Sequence, residues 1–397
     1  MKTPQDSSAL LRGIVETLPA GELLKRAARK KLRVKFGADP TAPDLHLGHM
    51  VVLRKLRQFQ DLGHTVVFII GDFTARIGDP SGRNIARPPL DPQAIDTNAK
   101  TYMDQVFRVL DRQKTEVVRN GDWLSKLDFA AILKLASQET VARLLERDDF
   151  AERRRTNAPI SLVELLYPLM QGYDSVAVRS DVELGGRDQK FNLLVGRDLQ
   201  EKAGQEPQCI LTMPLLVGMD GKQKMSKTYG NSIGFQDAPE DFYGKVMSIP
   251  DDLLFDYWLL LTDRDEGEIA DLRATCASGK ENPRNVKAAL ARHLVEFFHG
   301  KDAASSAEAH FWNVFVKKDA PDVVEEFHVE LPRGPADLAA ILAQSGLVPS
   351  KSEARRMIDA GAVHINGRRF DASAGYDPKD GDLFKVGKRR FARLRIK

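Results

Sequence analysis

The sequence predicts an α/β protein: a parallel sheet broken by a helical insertion, then a helical region, then a small α+β unit at the C-terminal end. Three observations carry this reading. Short β-branched runs alternate with helical periodicity over 32–73 and again over 181–216. Helical spacing dominates from about 90 to 178 and from 236 to 320. A stretch with Pro and Gly, 328–337, then precedes a compact basic tail.

"LRVKFGADP" (32–40) is a short apolar run ending in Gly and Pro, a buried strand with its turn. In "HMVVLRKLRQFQDLG", Val52, Leu53, Leu56, Phe59 and Leu62 recur at helical spacing and Gly63 stops the helix. "TVVFIIGDF" (65–73) is a second, richly β-branched strand. Strand, helix, strand within about 40 residues is a βαβ unit, which implies a Rossmann-like parallel sheet with a ligand site at the strands' carboxyl ends. "DVELGG" and "QCILTMPLL" resume as strands around the helix "DQKFNLLVGRDLQEKAG". The expected domains are 1–235, sheet with helical insertion; 236–327, helical; 328–335, linker; and 336–397, the last unit.

Composition is that of a soluble globular protein, 42% hydrophobic and 29% charged over 397 residues. Two cysteines cannot build a disulfide framework or a zinc knuckle, so a reducing, cytoplasmic setting is expected. The N-terminal stretch lacks the pattern of a signal peptide, and no apolar run approaches the ~20 residues of a membrane span. From Leu331 onward 14 Lys or Arg face 7 Asp or Glu, a net +7; of the total +3, the remainder therefore carries −4. A basic tail on a slightly acidic body suggests that a polyanion, nucleic acid above all, is held at one end.

In "PDLHLGHM" (43–50), His46 and His49 flank Gly48 just after the first strand of the βαβ unit. Asp39, Thr41 and Asp44 precede them as potential caps, and a helix N-terminus attracts phosphate. Gly48 lets a flat ring approach the backbone, and imidazole donors suit a triphosphate whose charge rises during displacement. Alone, the pair could be an ordinary helix start. "KQKMSKT" (222–228) alone could be a charged loop; paired with the histidines, its lysines complement pyrophosphate oxygens. No cluster of His, Cys and carboxylate accompanies either motif, so no protein-bound metal is expected. In "YPLMQGYD", Tyr167, Gln171 and Asp174 fall at i, i+4 and i+7 on one helix face, which alone could be an ordinary polar face.

These two signatures resemble those of class I aminoacyl-tRNA synthetases. With "GDFTARIGDPSGR" (71–83), "LLYPLMQGYDS" (165–175) and "ELGGRDQKFN" (183–192), the resemblance sharpens to the bacterial tyrosyl-tRNA synthetases and spans nearly the whole chain. It implies a ligase that couples L-tyrosine to tyrosine tRNA with ATP and Mg²⁺ as co-substrate, acting as a homodimer built through the helical insertion. It implies Thr41 and His46 on the γ-phosphate, with Lys224, Lys227 and Thr228 closing over it. His49, Gly48 and Asp39 would lie against the nucleotide, Gly186 and Asp188 on the ribose, and Gln189 on the reacting carboxylate or α-phosphate. Asp174 would hold the phenol; Tyr167, Gln171 and Asp79 the ammonium; Thr74 lines the same pocket. Such a site should reject phenylalanine, whose missing hydroxyl leaves a buried carboxylate unpaired.

Three positions depart from the family pattern. Lys35 stands where one branch has a tyrosine facing the phenol. Arg187 replaces a small hydroxyl residue beside Asp188, and could pair with it or point to solvent. Thr228 replaces a serine but keeps the hydroxyl. The tail resembles the small RNA-binding module of a ribosomal protein. Ser350 or Ser352 caps a helix bearing Arg355 and Arg356, and "NG" (366–367) turns a hairpin before Arg368 and Arg369. The 236–327 region would then be the anticodon-arm domain. Two other readings stand beside this one: a catalytically impaired RNA-binding paralogue, and a nucleotidyltransferase acting on small molecules.

Overall fold

The computed structural model describes residues 9–79, 91–316, 326–329, 337–370, 375–387 and 390–396. Two compact units make up the chain, residues 1–238 with 245–291, and residues 239–244 with 292–397. The helices Leu254–Leu261 and Glu266–Ala277 thus belong to the unit that holds the larger sheet.

That sheet has six strands: β1 (Glu16–Leu18), β2 (Arg33–Ala38), β3 (Thr65–Ile70), β4 (Thr115–Arg119), β5 (Val182–Gly186) and β6 (Cys209–Met213). Their order is β1-β6-β5-β2-β3-β4; β2 to β6 pair in parallel and β1 runs antiparallel to β6. Val66–Ile69 and every residue of β6 are buried, as a parallel sheet covered on both faces requires. The helix Leu47–Asp61 lies between β2 and β3, burying Met50, Leu53, Leu56 and Phe59.

Two strands escaped the sequence reading. β4 falls inside the stretch read as helical, flanked by the helices Pro92–Val106 and Phe129–Ala136, and pairs with β3 from Val66–Thr115 to Ile70–Arg119. It is an edge strand of five residues whose Glu116 and Val117 are exposed, too short for a period of two to stand out. β1 has three residues and is another edge. The sheet also ends at Met213, earlier than the sequence suggested; the chain beyond makes isolated bridges, Val217 with Lys224 and Gly234 with His46.

Chain order reverses between β2 and β5, with β3 and β4 on one side and β6 and β1 on the other. A crevice therefore opens at the carboxyl ends of these two strands, at Ala38–Asp39 and Gly186–Arg187.

In the second unit, a five-stranded sheet comprises β7 (Glu326–Val329), β8 (Val363–Ile365), β9 (Arg368–Arg369), β10 (Leu383–Val386) and β11 (Arg390–Ile396), ordered β7-β11-β10-β8-β9. It shares a core with the helices Leu338–Gln344 and Lys351–Asp359, centred on Leu342, Ala354, Phe384 and Leu394. Ser350 is the helix cap, its Oγ accepting from Glu353 N at 3.2 Å. Asn366 and Gly367 take φ of 51° and 78°, the left-handed pair of a two-residue hairpin turn. Arg355, Arg356, Arg368 and Arg369 are exposed, with Arg356 paired to Glu353. β7 pairs in parallel with β11, so 326–329, read as helical domain end and linker start, joins this sheet. The rest of the expected linker, 330–335, lies outside the described residues, as does 80–83 of the motif at 71–83. Among the described residues no helix is long and apolar enough to cross a membrane.

Candidate active site

The crevice holds a cavity of about 920 Å³, and its walls gather the residues that the sequence reading scattered along the chain. Asp39, Thr41, Thr74 and Asp79 come from the ends of β2 and β3; His46, Gly48 and His49 from the following helix start. Tyr167, Gln171 and Asp174 come from one face of the helix Leu162–Val178, and Gly186, Asp188 and Gln189 from the end of β5. Lys224, Lys227 and Thr228 close the circle. The four tail arginines belong to the other unit.

His46 is the N-cap of the helix Leu47–Asp61, and the two histidines make its capping box. His46 Nδ1 accepts from Gly48 N at 3.2 Å, and His49 Nδ1 accepts from His46 N at 3.2 Å. A Cβ on residue 48 would sit 2.9 Å from the His46 ring, so glycine is what lets this imidazole fold back on its own turn. Desolvation pushes the His46 pKa down to about 2, with His49 and Lys227 adding to the effect. Desolvation likewise lowers His49, to about 4.

The lysine loop is held by Asn231, whose Oδ1 accepts from Ser226 N at 2.8 Å while Nδ2 donates to Asp220 at 2.9 Å and Lys224 O at 3.2 Å. Lys224 Nζ pairs with Asp188 at 2.9 Å, and Lys227 pairs with Asp44. Arg187 is exposed, and the partner of Asp188 is Lys224.

Carboxylates concentrate at the other end. Asp39 accepts from the Thr74 hydroxyl at 2.6 Å and the Tyr167 hydroxyl at 2.9 Å. Asp39 is thereby bonded to two of the residues that the resemblance puts around tyrosine. Asp174 accepts from Trp123 Nε1 at 2.8 Å and Asn120 Nδ2 at 3.3 Å. Burial drives both carboxyls up to about 7, Asp39 also feeling Asp79 and Asp174, and Asp174 feeling Glu183. Lys35 turns away into a buried ion pair: Nζ reaches Glu183 at 2.8 Å, Ser175 Oγ at 2.7 Å and Gln171 O at 2.9 Å.

Several contributors were not legible from motifs. Asn120 and Trp123 follow β4, which itself went unread; Asn192 ends the motif at 183–192 but had no role there, and Arg147 stands one layer further out. The helix Leu162–Val178 approaches the helix Lys190–Lys202 closely at Gly172, where a Cβ would stand 2.9 Å from Leu199 and 3.2 Å from Gly196 N. That approach brings Asn192 Nδ2 to 2.9 Å from Gln171 Oε1. Among the described residues no group of three or more His, Cys, Asp or Glu is arranged to hold a metal.

A family model for class I tRNA synthetases (W and Y) matches residues 27–316, and one for the S4 domain matches residues 338–381. The tyrosine–tRNA ligase of Thermotoga maritima is 53% identical over 395 residues, covering 99% of this chain and 98% of its own. The chain belongs to the tyrosine–tRNA ligases. The ligase of Haemophilus influenzae agrees, 53% identical over 388 residues, with 98% of this chain and 96% of its own covered. The tyrosyl-tRNA synthetase of Archaeoglobus fulgidus, whose crystal structure holds L-tyrosine, shares the fold at a TM-score of 0.65 and 24% identity, covering 78% of this chain and 100% of that one. With ligases at this identity along nearly the full length, the reading as a catalytically impaired paralogue is set aside, and so is the small-molecule nucleotidyltransferase.

Proposed function

We propose that this cavity carries both half-reactions of tyrosine–tRNA ligation, on the residues named above. A carboxylate oxygen of L-tyrosine attacks the α-phosphorus of ATP, the bond to the β-phosphate oxygen breaks, and pyrophosphate leaves with its Mg²⁺, which arrives as part of the nucleotide substrate. The terminal ribose hydroxyl of tyrosine tRNA then attacks the tyrosyl carbonyl and releases AMP. Positioning and charge stabilisation suffice; no covalent enzyme intermediate is needed.

The observation that supports this most is one cavity with an acidic end and a cationic end. At the acidic end, Asp174 keeps lone pairs for a phenol beyond those given to Trp123 and Asn120. The Tyr167 proton is committed to Asp39, which leaves the Tyr167 oxygen as an acceptor for the ammonium beside Gln171 and Asp79. Thr74 lines that pocket. At the other end Thr41, His46, Lys224, Lys227 and Thr228 meet the triphosphate, His49 and Gly48 support the nucleotide, and Gly186, Asp188 and Gln189 meet ribose and the reacting groups. ATP would take Lys224 and Lys227 from Asp188 and Asp44. Arg355, Arg356, Arg368 and Arg369 hold tRNA phosphates.

The helical insertion exposes Phe129 (74%) and Leu162 (75%), with Leu133 and Val141, which supports burial against a second copy in a homodimer. Two free cysteines fit a reducing cytoplasm. Tyrosine-dependent exchange of labelled pyrophosphate into ATP tests the assignment, with phenylalanine and tryptophan as controls. Exchange with tyrosine alone is expected; equal exchange with phenylalanine would overturn the role of Asp174.

A further inference from the structure

Arg147 stands at the N-terminal cap of the helix Asp148–Arg155 in the helical insertion and is 4% exposed. Its Nε and Nη2 donate to the two oxygens of Asp149, each at 3.0 Å, and its guanidinium lies 4.9 Å over the Phe150 ring. Another arm reaches inward, Nη1 donating to Asn192 Oδ1 at 2.9 Å. We propose that Arg147 is a positioning residue for the tyrosine subsite, setting through Asn192 which way the amides of Gln171 and Gln189 face.

Donor chemistry fixes the orientation of Asn192. A guanidinium only donates, so the end of Asn192 that meets Arg147 must be its oxygen. The Asn192 nitrogen then faces the cavity side, donating to Gln171 Oε1 at 2.9 Å and to Gln189 Oε1 at 3.0 Å, which uses both of its hydrogens. With their oxygens so fixed, the glutamines turn their nitrogens the other way. Gln189 Nε2 donates to Asp79 at 2.9 Å, and Gln171 Nε2 lies 3.5 Å from Glu183. One cation thus sets the polarity of a chain that runs from Asp149 to Asp79.

Each orientation matters to the substrate under the proposed function, on which this inference rests. Gln171 keeps a second lone pair for the ammonium, and Gln189 keeps a second hydrogen for the reacting carboxylate or α-phosphate. Were Asn192 reversed, its oxygen would face two oxygens, and both glutamines would have to turn over. The ammonium would then meet an amide NH₂.

Asn192→Asp separates this from packing. The carboxylate keeps the bond to Arg147 but cannot donate to either glutamine. An added anion acting only through its field would tighten an ammonium, whereas the relay predicts the opposite. The expected result in pyrophosphate exchange is a tyrosine KM raised about tenfold, the worth of roughly one hydrogen bond. The ATP KM should move less and the melting temperature should hold. Arg147→Met should raise the tyrosine KM similarly, measured on folded protein. A purely structural Arg147 predicts a lower melting temperature in Arg147→Met with the tyrosine KM unmoved in both variants.

Gln171→Ala is the control. If it raises the tyrosine KM while Asn192→Asp leaves it unchanged or lower, the relay is overturned and the subsite reading stands. If Asn192→Asp raises it and Arg147→Met does not, the part given to Arg147 is overturned. An unchanged KM in all three overturns relay and subsite together.

Discussion

His46 and His49 cap one helix start through reciprocal bonds, each offering Nδ1 as acceptor to a backbone amide at 3.2 Å. An imidazole whose Nδ1 accepts is neutral and carries its proton on Nε2. Desolvation agrees, lowering the two to about 2 and about 4. In the free protein these rings are therefore fixed neutral donors and not proton shuttles. In the proposed role, His46 would donate to charge that grows on the triphosphate, and so would act on the transition state and not on tyrosine. His46→Ala should slow adenylate formation by roughly 10²–10³-fold while changing the tyrosine Kd little. Single-turnover adenylate kinetics beside tyrosine titration measure the two, and equal losses would refute the division.

The apolar side chains on the helical insertion give a second expectation. Phe129 and Leu162 are 74% and 75% exposed, with Leu133 and Val141 also open to solvent. In the proposed homodimer these are the side chains that a second copy would cover. Replacing Phe129 and Leu162 together by Asp should shift sedimentation from dimer towards monomer while leaving the fold intact by circular dichroism. A native chain that sediments as a monomer contradicts the dimer outright.

The βαβ unit was legible because Val66 to Ile69 are β-branched or aromatic and the preceding helix repeats its apolar face over Val52, Leu53, Leu56 and Phe59. The stripe Tyr167, Gln171 and Asp174 was legible because a helical period carries three polar groups to one face. β4 was not, since five residues on a half-exposed edge give too short a pattern. Asn120 and Trp123 were lost with it, because only a strand ending at Arg119 delivers them to Asp174. Lys35 was seen as an anomaly, but its partner Glu183 lies on a neighbouring strand, and pairing between strands far apart in sequence has no local signal.

The basic tail leads to a third expectation. Its four exposed arginines sit on a helix and a hairpin that share one core, and every residue lining the cavity lies within 36–229. Deleting residues 333–397 should leave tyrosine-dependent pyrophosphate exchange intact and raise the KM for tRNA. In the full chain, neutralising Arg355, Arg368 and Arg369 should weaken tRNA binding and make it less sensitive to salt, by about one unit of slope for every phosphate that no longer has its arginine. Undiminished aminoacylation at limiting tRNA would contradict both.

The acidic end of the cavity should make tyrosine binding depend on pH. Thr74 and Tyr167 donate to Asp39, and Trp123 and Asn120 donate to Asp174, which favours the ionised forms. Burial and neighbouring carboxylates outweigh these donors, and both groups rise to about 7. A carboxyl raised in the folded state holds a proton that the unfolded chain has already released. Its contribution therefore favours the folded protein in acid and is lost as pH rises through about 7. An incoming ammonium reverses that balance by favouring the ionised carboxylates, so binding expels protons. The tyrosine Kd should fall between pH 6 and pH 8, and tyrosine should raise the melting temperature more at pH 8 than at pH 6. Titration calorimetry in two buffers of different ionisation enthalpy reads the released protons directly. Asp39→Asn should flatten the profile, and a native Kd constant between pH 6 and pH 8 would contradict it.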